Sequence, residues 1–285
     1  MTSNLEQATV PTWTCPGGIL AWGDCLDWME TLPEESVHLV AIDPPFFTGR
    51  DQTGGGESPL SYADRWPDGK GAYLTWLLQR VSRMRDLLTQ EGSFLIHLDW
   101  HAVHAVKVAL DELFGEECFQ NEIIWHYQTG GAGERRFSRK HDTLLWYTRS
   151  PERWTFHPER IRVPRTPKAM RRARNPKGAR IAVDDTHKNP EDVIRIPALN
   201  PMSNERTGYP TQKPLELMEL FVQAFTDPGE VVADFFCGSG TTVLAAARLG
   251  RKWLACEISE EAIRITRERM RVPLFAEGEP VHREA

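Results

Sequence analysis

The feature that most constrains this chain is the short apolar run Val37 to Ile42, which ends in Asp43-Pro44-Pro45-Phe46. A nearly continuous apolar segment of this length suits a parallel strand covered on both faces. The two prolines stop it, because proline has no N–H to give to a ladder, so Asp43 to Phe46 belong at or just past the strand's carboxyl end. In open α/β sheets that edge is where ligands bind. A proline-capped strand leading into a surface turn accounts for the prolines but leaves Asp43 and Phe46 without a reason.

The rest of the chain has the rhythm such a sheet needs. Strands are expected at Gly17–Asp24, around Val40 and Ile42, at Gly92–Asp99, at Val231–Phe236 and at Lys252–Ile258. Helices are expected at Cys25–Leu32, over the Tyr73–Leu88 apolar face, and at Ala102–Leu113, Pro214–Phe225, Gly240–Leu249 and Glu260–Met270. Glu122–Gln128 and Thr143–Thr148 read as an antiparallel pair with a long connector. This alternation argues for a mostly parallel sheet with helices on both faces. The expected division is a flexible tail over 1–16, one half of the main domain over 17–148, an irregular proline-rich insertion over 149–205, the second half over 206–271 and a C-terminal tail over 272–285. The polar, glycine-rich piece from Thr48 to Gly71 reads as a mobile functional loop or as plain disorder.

Bulk properties narrow the function. A chain of 285 residues with a net charge of −6 is not basic all over, although a local basic face is enough to meet phosphates. The five cysteines, Cys15, Cys25, Cys118, Cys237 and Cys256, form no CxxC pair, so neither a disulfide framework nor a zinc site is indicated and a reducing cytoplasm fits. No apolar run reaches the length of a membrane span, and the N-terminus lacks the regions of a signal peptide. His97, His101 and His104 fall at near-helical spacing, but a strand-to-helix junction separates the first from the others, so a structural role is expected and no metal.

A second ligand signal lies in VVADFFCGSGTT, Val231 to Thr242, a strand turning through Gly238 and Gly240 into a helix. Glycines there allow close backbone approach, with free N–H groups at the helix N-terminus. About 20 residues on, the next strand ends in Glu257, placed to accept from two ribose hydroxyls. Together they describe a nucleoside cofactor. A nicotinamide or flavin fold competes, but Val243 stands where its third glycine belongs; a phosphate-binding P-loop lacks its Gly-Lys-Ser/Thr.

The pairing of DPPF with DFFCGSGTT resembles the amino-group DNA methyltransferases that use S-adenosylmethionine. The order, DPPF first and the glycine turn last, is similar to their circularly permuted β-type arrangement. GDCLDWMETLP, EIIWHYQTGG with RKHDTLLWY, and GYPTQKP also look like family segments. The resemblance implies a class I methyltransferase fold, α/β and Rossmann-like, with a mostly parallel seven-stranded sheet and a small inserted target-recognition region. It implies methylation of adenine N6 in double-stranded DNA, or alternatively cytosine N4, on a flipped-out base. The implied catalytic group is Asp43, Pro44, Pro45 and Phe46. Asp43 and the Pro44 carbonyl would accept the two amine hydrogens, Pro45 would stiffen that carbonyl and Phe46 would stack on the base.

The implied cofactor residues are Asp24, Cys25, Asp43, Lys213, Asp234, Phe236, Cys237, Gly238, Ser239, Gly240, Thr241, Thr242, Glu257 and Ile258. Among them Asp24 would reach the adenine amine and Lys213 would neutralise the cofactor carboxylate. DNA contact is expected from Tyr127, from Arg135, Arg136, Arg139 and Lys140, and from the basic run Arg165, Lys168, Arg171, Arg172, Arg174 and Lys177 in the insertion. β-type relatives also imply a possible homodimer and a cognate restriction endonuclease, with no membrane. A nicotinamide-dependent oxidoreductase and a catalytically silent DNA-binding module remain rivals from other classes.

Overall fold

The computed structural model describes residues 10–53, 61–127, 133–173, 186–200 and 202–271. In chain order the strands are β1 (Thr12–Cys15), β2 (Gly18–Trp22), β3 (Val37–Ile42), β4 (Arg50–Thr53), β5 (Ser61–Asp64), β6 (Leu88–Leu98), β7 (Phe119–His126), β8 (His141–Thr148), β9 (Val163–Pro164), β10 (His187–Lys188), β11 (Val193–Arg195), β12 (Val231–Asp234) and β13 (Lys252–Glu257). The helices are α1 (Cys25–Met29), α2 (Gly69–Leu87), α3 (Val103–Phe114), α4 (Pro167–Ala173), α5 (Leu215–Phe225), α6 (Thr241–Arg248) and α7 (Glu260–Arg271).

One sheet runs in the order β1-β2-β13-β12-β3-β6-β8-β7-β11. From β2 to β6 every neighbour is parallel, and β8 lies antiparallel between β6 and β7. The expected seven strands are its centre. Two short edge strands extend them to nine. β1 pairs antiparallel with β2, so residues expected in a loose tail are part of the sheet. β11 joins β7 in parallel, which ties the expected irregular insertion to the main sheet; three residues are too few for a periodic signal.

The sheet is buried on both sides, as the nearly continuous apolar run of β3 requires. Val40 and Ile42 face a core completed by Trp28, Tyr73, Leu77, Met84 and Val106 from α1, α2 and α3. Leu39 and Ala41 face the other, with Leu217 and Phe221 from α5, Val243 and Ala246 from α6, and Ile263 from α7. Alternation along one strand thus serves two helical layers.

The described residues of the Thr48–Gly71 loop hold a hairpin. β4 and β5 form an antiparallel hairpin, and the buried Asp64 at its end ties it down. Asp64 accepts from Phe47 N–H (2.9 Å), from Thr48 N–H (2.8 Å) and hydroxyl (2.6 Å), and from Trp66 Nε1 (3.2 Å). Phe47 needs that support, since its φ of 62° is left-handed. No helix among the described residues is long and apolar enough to cross a membrane.

Candidate active site

Adjacent parallel strands β3, β12 and β13 end in Ile42, Asp234 and Glu257, so their carboxyl ends bring Asp43, Asp234 and Glu257 to one rim. A cavity of about 430 Å³ opens there, within the usual range of small-ligand sites. Asp43, Lys213, Asp234, Cys237, Gly238 and Glu257 all line it. Residues nearly two hundred positions apart in the chain therefore meet at one opening.

The glycine turn is shaped by its neighbours. Gly238 has φ +49°, and a Cβ on it would lie 2.9 Å from the Tyr209 ring, so Tyr209 of the GYPTQKP segment packs directly against the turn. Gly240, with φ +77°, starts α6 where a Cβ would meet Thr266 at 2.7 Å. The Thr266 hydroxyl donates to the Gly238 carbonyl at 3.0 Å, and Arg269 Nη1 donates to the Ser239 carbonyl at 2.6 Å. α7 thus holds the turn from behind. Ser239, Thr241 and Thr242 are buried at the cavity, and Phe236 lines it too.

Two of the rim carboxyls are pushed toward the protonated form. Burial raises Asp234 to about 7, against the Thr242 hydroxyl and the Phe236 N–H that favour its charged form. Glu257 is likewise raised by burial, although it accepts from the backbone N–H groups of Gly238 (2.9 Å), Ile258 (2.9 Å) and Ser259 (3.0 Å). Ile258 itself stands at the mouth, 71% exposed. A cation bound beside them would draw both carboxyls back toward the charged form.

Asp43 behaves differently. Its Oδ1 lies 2.7 Å from His97 Nδ1, and its Oδ2 is ion-paired with Lys213. Burial raises the Asp43 carboxyl, but Lys213 and His97 outweigh it and hold the group below the ordinary carboxylate range. His97 Nε2 meets Asp142 Oδ2 at 3.2 Å, and the Tyr127 hydroxyl donates to Asp142 Oδ1 at 3.1 Å. Burial and Lys213 work against a charged imidazole, yet the Asp43 and Asp142 carboxylates raise His97 above its usual value. Phe46 sits edge-on to His97 with centroids 5.2 Å apart, and the Pro45 carbonyl accepts from the Tyr73 hydroxyl at 2.8 Å. Pro44 is buried.

Several expected residues are engaged by neighbours within the protein. Asp24 does not line the cavity: it caps α1 through the Leu26 N–H at 2.9 Å and pairs with Arg80, whose guanidinium lies 4.4 Å from the Trp76 ring. Cys25 is packed in the core below it. An aspartate at a strand's end that also precedes a helix reads equally as ligand contact and as N-cap, and here the cap and the arginine take it. Lys213 neutralises Asp43 where it was expected to stand open to a cofactor carboxylate. His97, expected to be structural, is a direct neighbour of Asp43, and Asp142, not among the expected site residues, holds its other nitrogen. Their only sequence signal is position: each lies at the carboxyl-edge end of a strand, β6 and β8.

The expected DNA contacts divide. Tyr127 is tied to the site through Asp142. Arg135, Arg136 and Arg139 are exposed and Lys140 half-buried on the β7–β8 connection, with Arg139 stacked 3.6 Å from the Trp100 ring. Arg165 and Lys168 are half-buried and exposed, respectively. Arg171 and Arg172 are placed only by backbone, in α4, and Arg174 and Lys177 lie outside the described residues.

Comparison with known proteins agrees with this geometry. The N6/N4 methyltransferase family, described as DNA methylase, matches residues 37–268. Type II methyltransferase M.HpaI of Haemophilus parainfluenzae is 28% identical over 242 residues, 85% of this chain and 70% of that protein. DNA adenine methyltransferase YhdJ of Escherichia coli K12 is 26% identical over 261 residues, 88% and 81% of the two chains. The PvuII DNA methyltransferase, cytosine-N4-specific, superposes with a TM-score of 0.66 over 92% of this chain and 89% of its own at 21% identity, which speaks for the fold. A DNA modification methylase of Thermus thermophilus, solved in complex with S-adenosyl-L-methionine, gives 0.58 at 26% identity, covering 90% and 95%. With the family matching most of its length and the two motif halves meeting in one cavity, this chain belongs to the N6/N4 DNA methylase family.

Proposed function

We propose that the protein methylates the exocyclic amine of a flipped-out base in double-stranded DNA at a specific short sequence, with adenine N6 the leading target. One observation carries the reading: Asp43 and the Cys237–Gly238 turn open into the same cavity. The E. coli relative named for adenine supports the base choice, as does the aspartate-led DPPF.

The residues fit S-adenosylmethionine, the ligand with which the Thermus thermophilus relative was solved. A Cβ on Gly238 or Gly240 would strike Tyr209 or Thr266, so the turn stays tight, while Glu257 and Asp234 bring to the cavity two carboxyls that a cationic ligand would return to the charged form. When bound, that group supplies an electrophilic methyl on a positive sulfur. Asp234, Cys237, Gly238, Ser239 and Thr242 would hold its methionine part and Glu257 its ribose.

The protein's own work is to make a weak nucleophile reactive. The lone pair of a base amine is delocalised into its ring, and an acceptor on each N–H draws it out. Asp43, held ionised by Lys213 and His97, accepts one hydrogen at Oδ2, where Lys213 makes room for the amine; the Pro44 carbonyl accepts the other. Phe46 stacks against the base. Asp43 or water then takes the surplus proton from the methylated amine.

Tritium transfer from methyl-labelled S-adenosylmethionine to unmodified duplex DNA tests this, followed by nucleoside chromatography. N6-methyladenine is expected; label in N4-methylcytosine moves the target to the other base, and no label in either overturns the reading. The same reading extends to a homodimer, tested by light scattering, and to a partner restriction endonuclease acting in the cytoplasm.

A further inference from the structure

The connection between β7 and β8 springs from the edge of the site. The ladder ends in the His126–His141 pair, and the Tyr127 N–H donates to the Lys140 carbonyl at 2.9 Å, closing the neck of the loop. Tyr127 and Asp142 at that neck lead through His97 to Asp43 by side-chain contacts. The neck of this loop is therefore joined to the reacting carboxylate by a chain of side-chain contacts.

On the loop Phe137 is 99% exposed. A wholly bare phenylalanine leaves a large apolar surface in water with no return inside the fold. Its presentation is built. The Gly133 N–H donates to Ser138 Oγ at 2.9 Å, and a Cβ on Gly133 would lie 2.1 Å from the Arg136 carbonyl oxygen, so the chain turns sharply with Phe137 inside that turn's sequence. Arg135, Arg136 and Arg139 are exposed around it, and Arg139 is braced on the half-exposed Trp100 ring. Cations flanking a bare ring complement a duplex, which carries its charge on phosphates outside and its apolar surface in stacked bases within.

We infer that Phe137 enters the duplex and fills the gap left by the flipped base, while Arg135, Arg136 and Arg139 hold the neighbouring phosphates. This rests on the functional reading above. An aromatic ring in the vacated space replaces lost stacking and keeps the target from returning. Its contribution is therefore large when the target starts paired and stacked, and small when the target is already loose.

The test needs the recognition site, read by modification-sensitive sequencing of plasmid DNA treated with the protein. Two synthetic duplexes carry that site, one with the target base normally paired and one with it opposite an abasic position. Phe137→Ala should lower kcat/KM on the paired duplex by about ten-fold or more, yet stay within about three-fold of the unaltered protein on the abasic one. Phe137→Trp should keep activity on both. Equal losses on the two duplexes, no loss on either, or a change of oligomeric state in Phe137→Ala overturns the inference. Failure of the unaltered protein to methylate any DNA removes the functional reading and this inference with it, an outcome distinct from the others.

Discussion

Asp43 and His97 meet at 2.7 Å between Oδ1 and Nδ1, although 54 residues separate them in the chain. The imidazole is in turn fixed by Asp142 on its far nitrogen, so the carboxylate is aimed as well as charged. One oxygen is thereby committed to orientation, which leaves Oδ2, now with Lys213, as the one offered to an amine.

Asp43→Asn keeps the volume of the side chain and removes its charge. Methyl transfer should fall by about a hundred-fold or more, while affinity for S-adenosylmethionine by calorimetry stays within about three-fold. A variant that transfers at the normal rate would remove Asp43 from the chemistry.

The His97–Asp43 pair also leaves a pH signature. His97 is raised, so its contribution to stability is fully present below its unfolded value of about 6.5 and is lost as pH rises through the higher folded one. Asp43 is lowered, so its share is present above about 3.9 and disappears only in stronger acid. Thermal midpoints of the unaltered protein and His97→Gln, compared from pH 5 to 9, should differ most at the acid end and converge upward. A gap that widens with pH would mean that the buried imidazole is neutral.

Two glycines separate backbone strain from crowding. Gly229 has φ +88° with nothing within 4 Å of an added Cβ, so Gly229→Ala should cost about 1–2 kcal/mol. Gly240 combines φ +77° with Thr266 atoms at 2.7 and 2.8 Å, and Gly240→Ala should cost about 2–5 kcal/mol. Urea unfolding with unchanged m decides it; equal costs would show that Thr266 gives way freely.

Asp64→Ala strips acceptors from two backbone N–H groups, a hydroxyl and an indole in a buried setting. A loss of about 2–4 kcal/mol is expected, together with faster proteolysis between residues 47 and 66. An unchanged cleavage pattern would mean that the hairpin is held by other contacts.

Much of the site was legible because strand ends are legible. Prolines after β3, glycines after β12 and a glutamate closing β13 each mark a carboxyl edge, and a parallel sheet gathers those edges. His97 and Asp142 were not, because their meeting depends on the antiparallel register of β6 with β8, where His97 lies opposite Leu144. Asp24 is occupied for a local reason: its place before α1 suits a cap, and Arg80, 56 residues further on, pairs with its other oxygen. β1 and β11 are edge strands of four and three residues, short enough for pairing partners alone to decide them.

The strand order has a consequence for biosynthesis. β2 and β3, among the earliest elements made, are not neighbours; β13 and β12 fill the space between them. A growing chain therefore carries two apolar strand edges separated by a vacancy until β12 and β13 emerge, and a message cut short before residue 231 yields a sheet missing its middle. Such an intermediate calls for protection from aggregation during synthesis, and a nonsense change late in the gene should be as damaging as an early one.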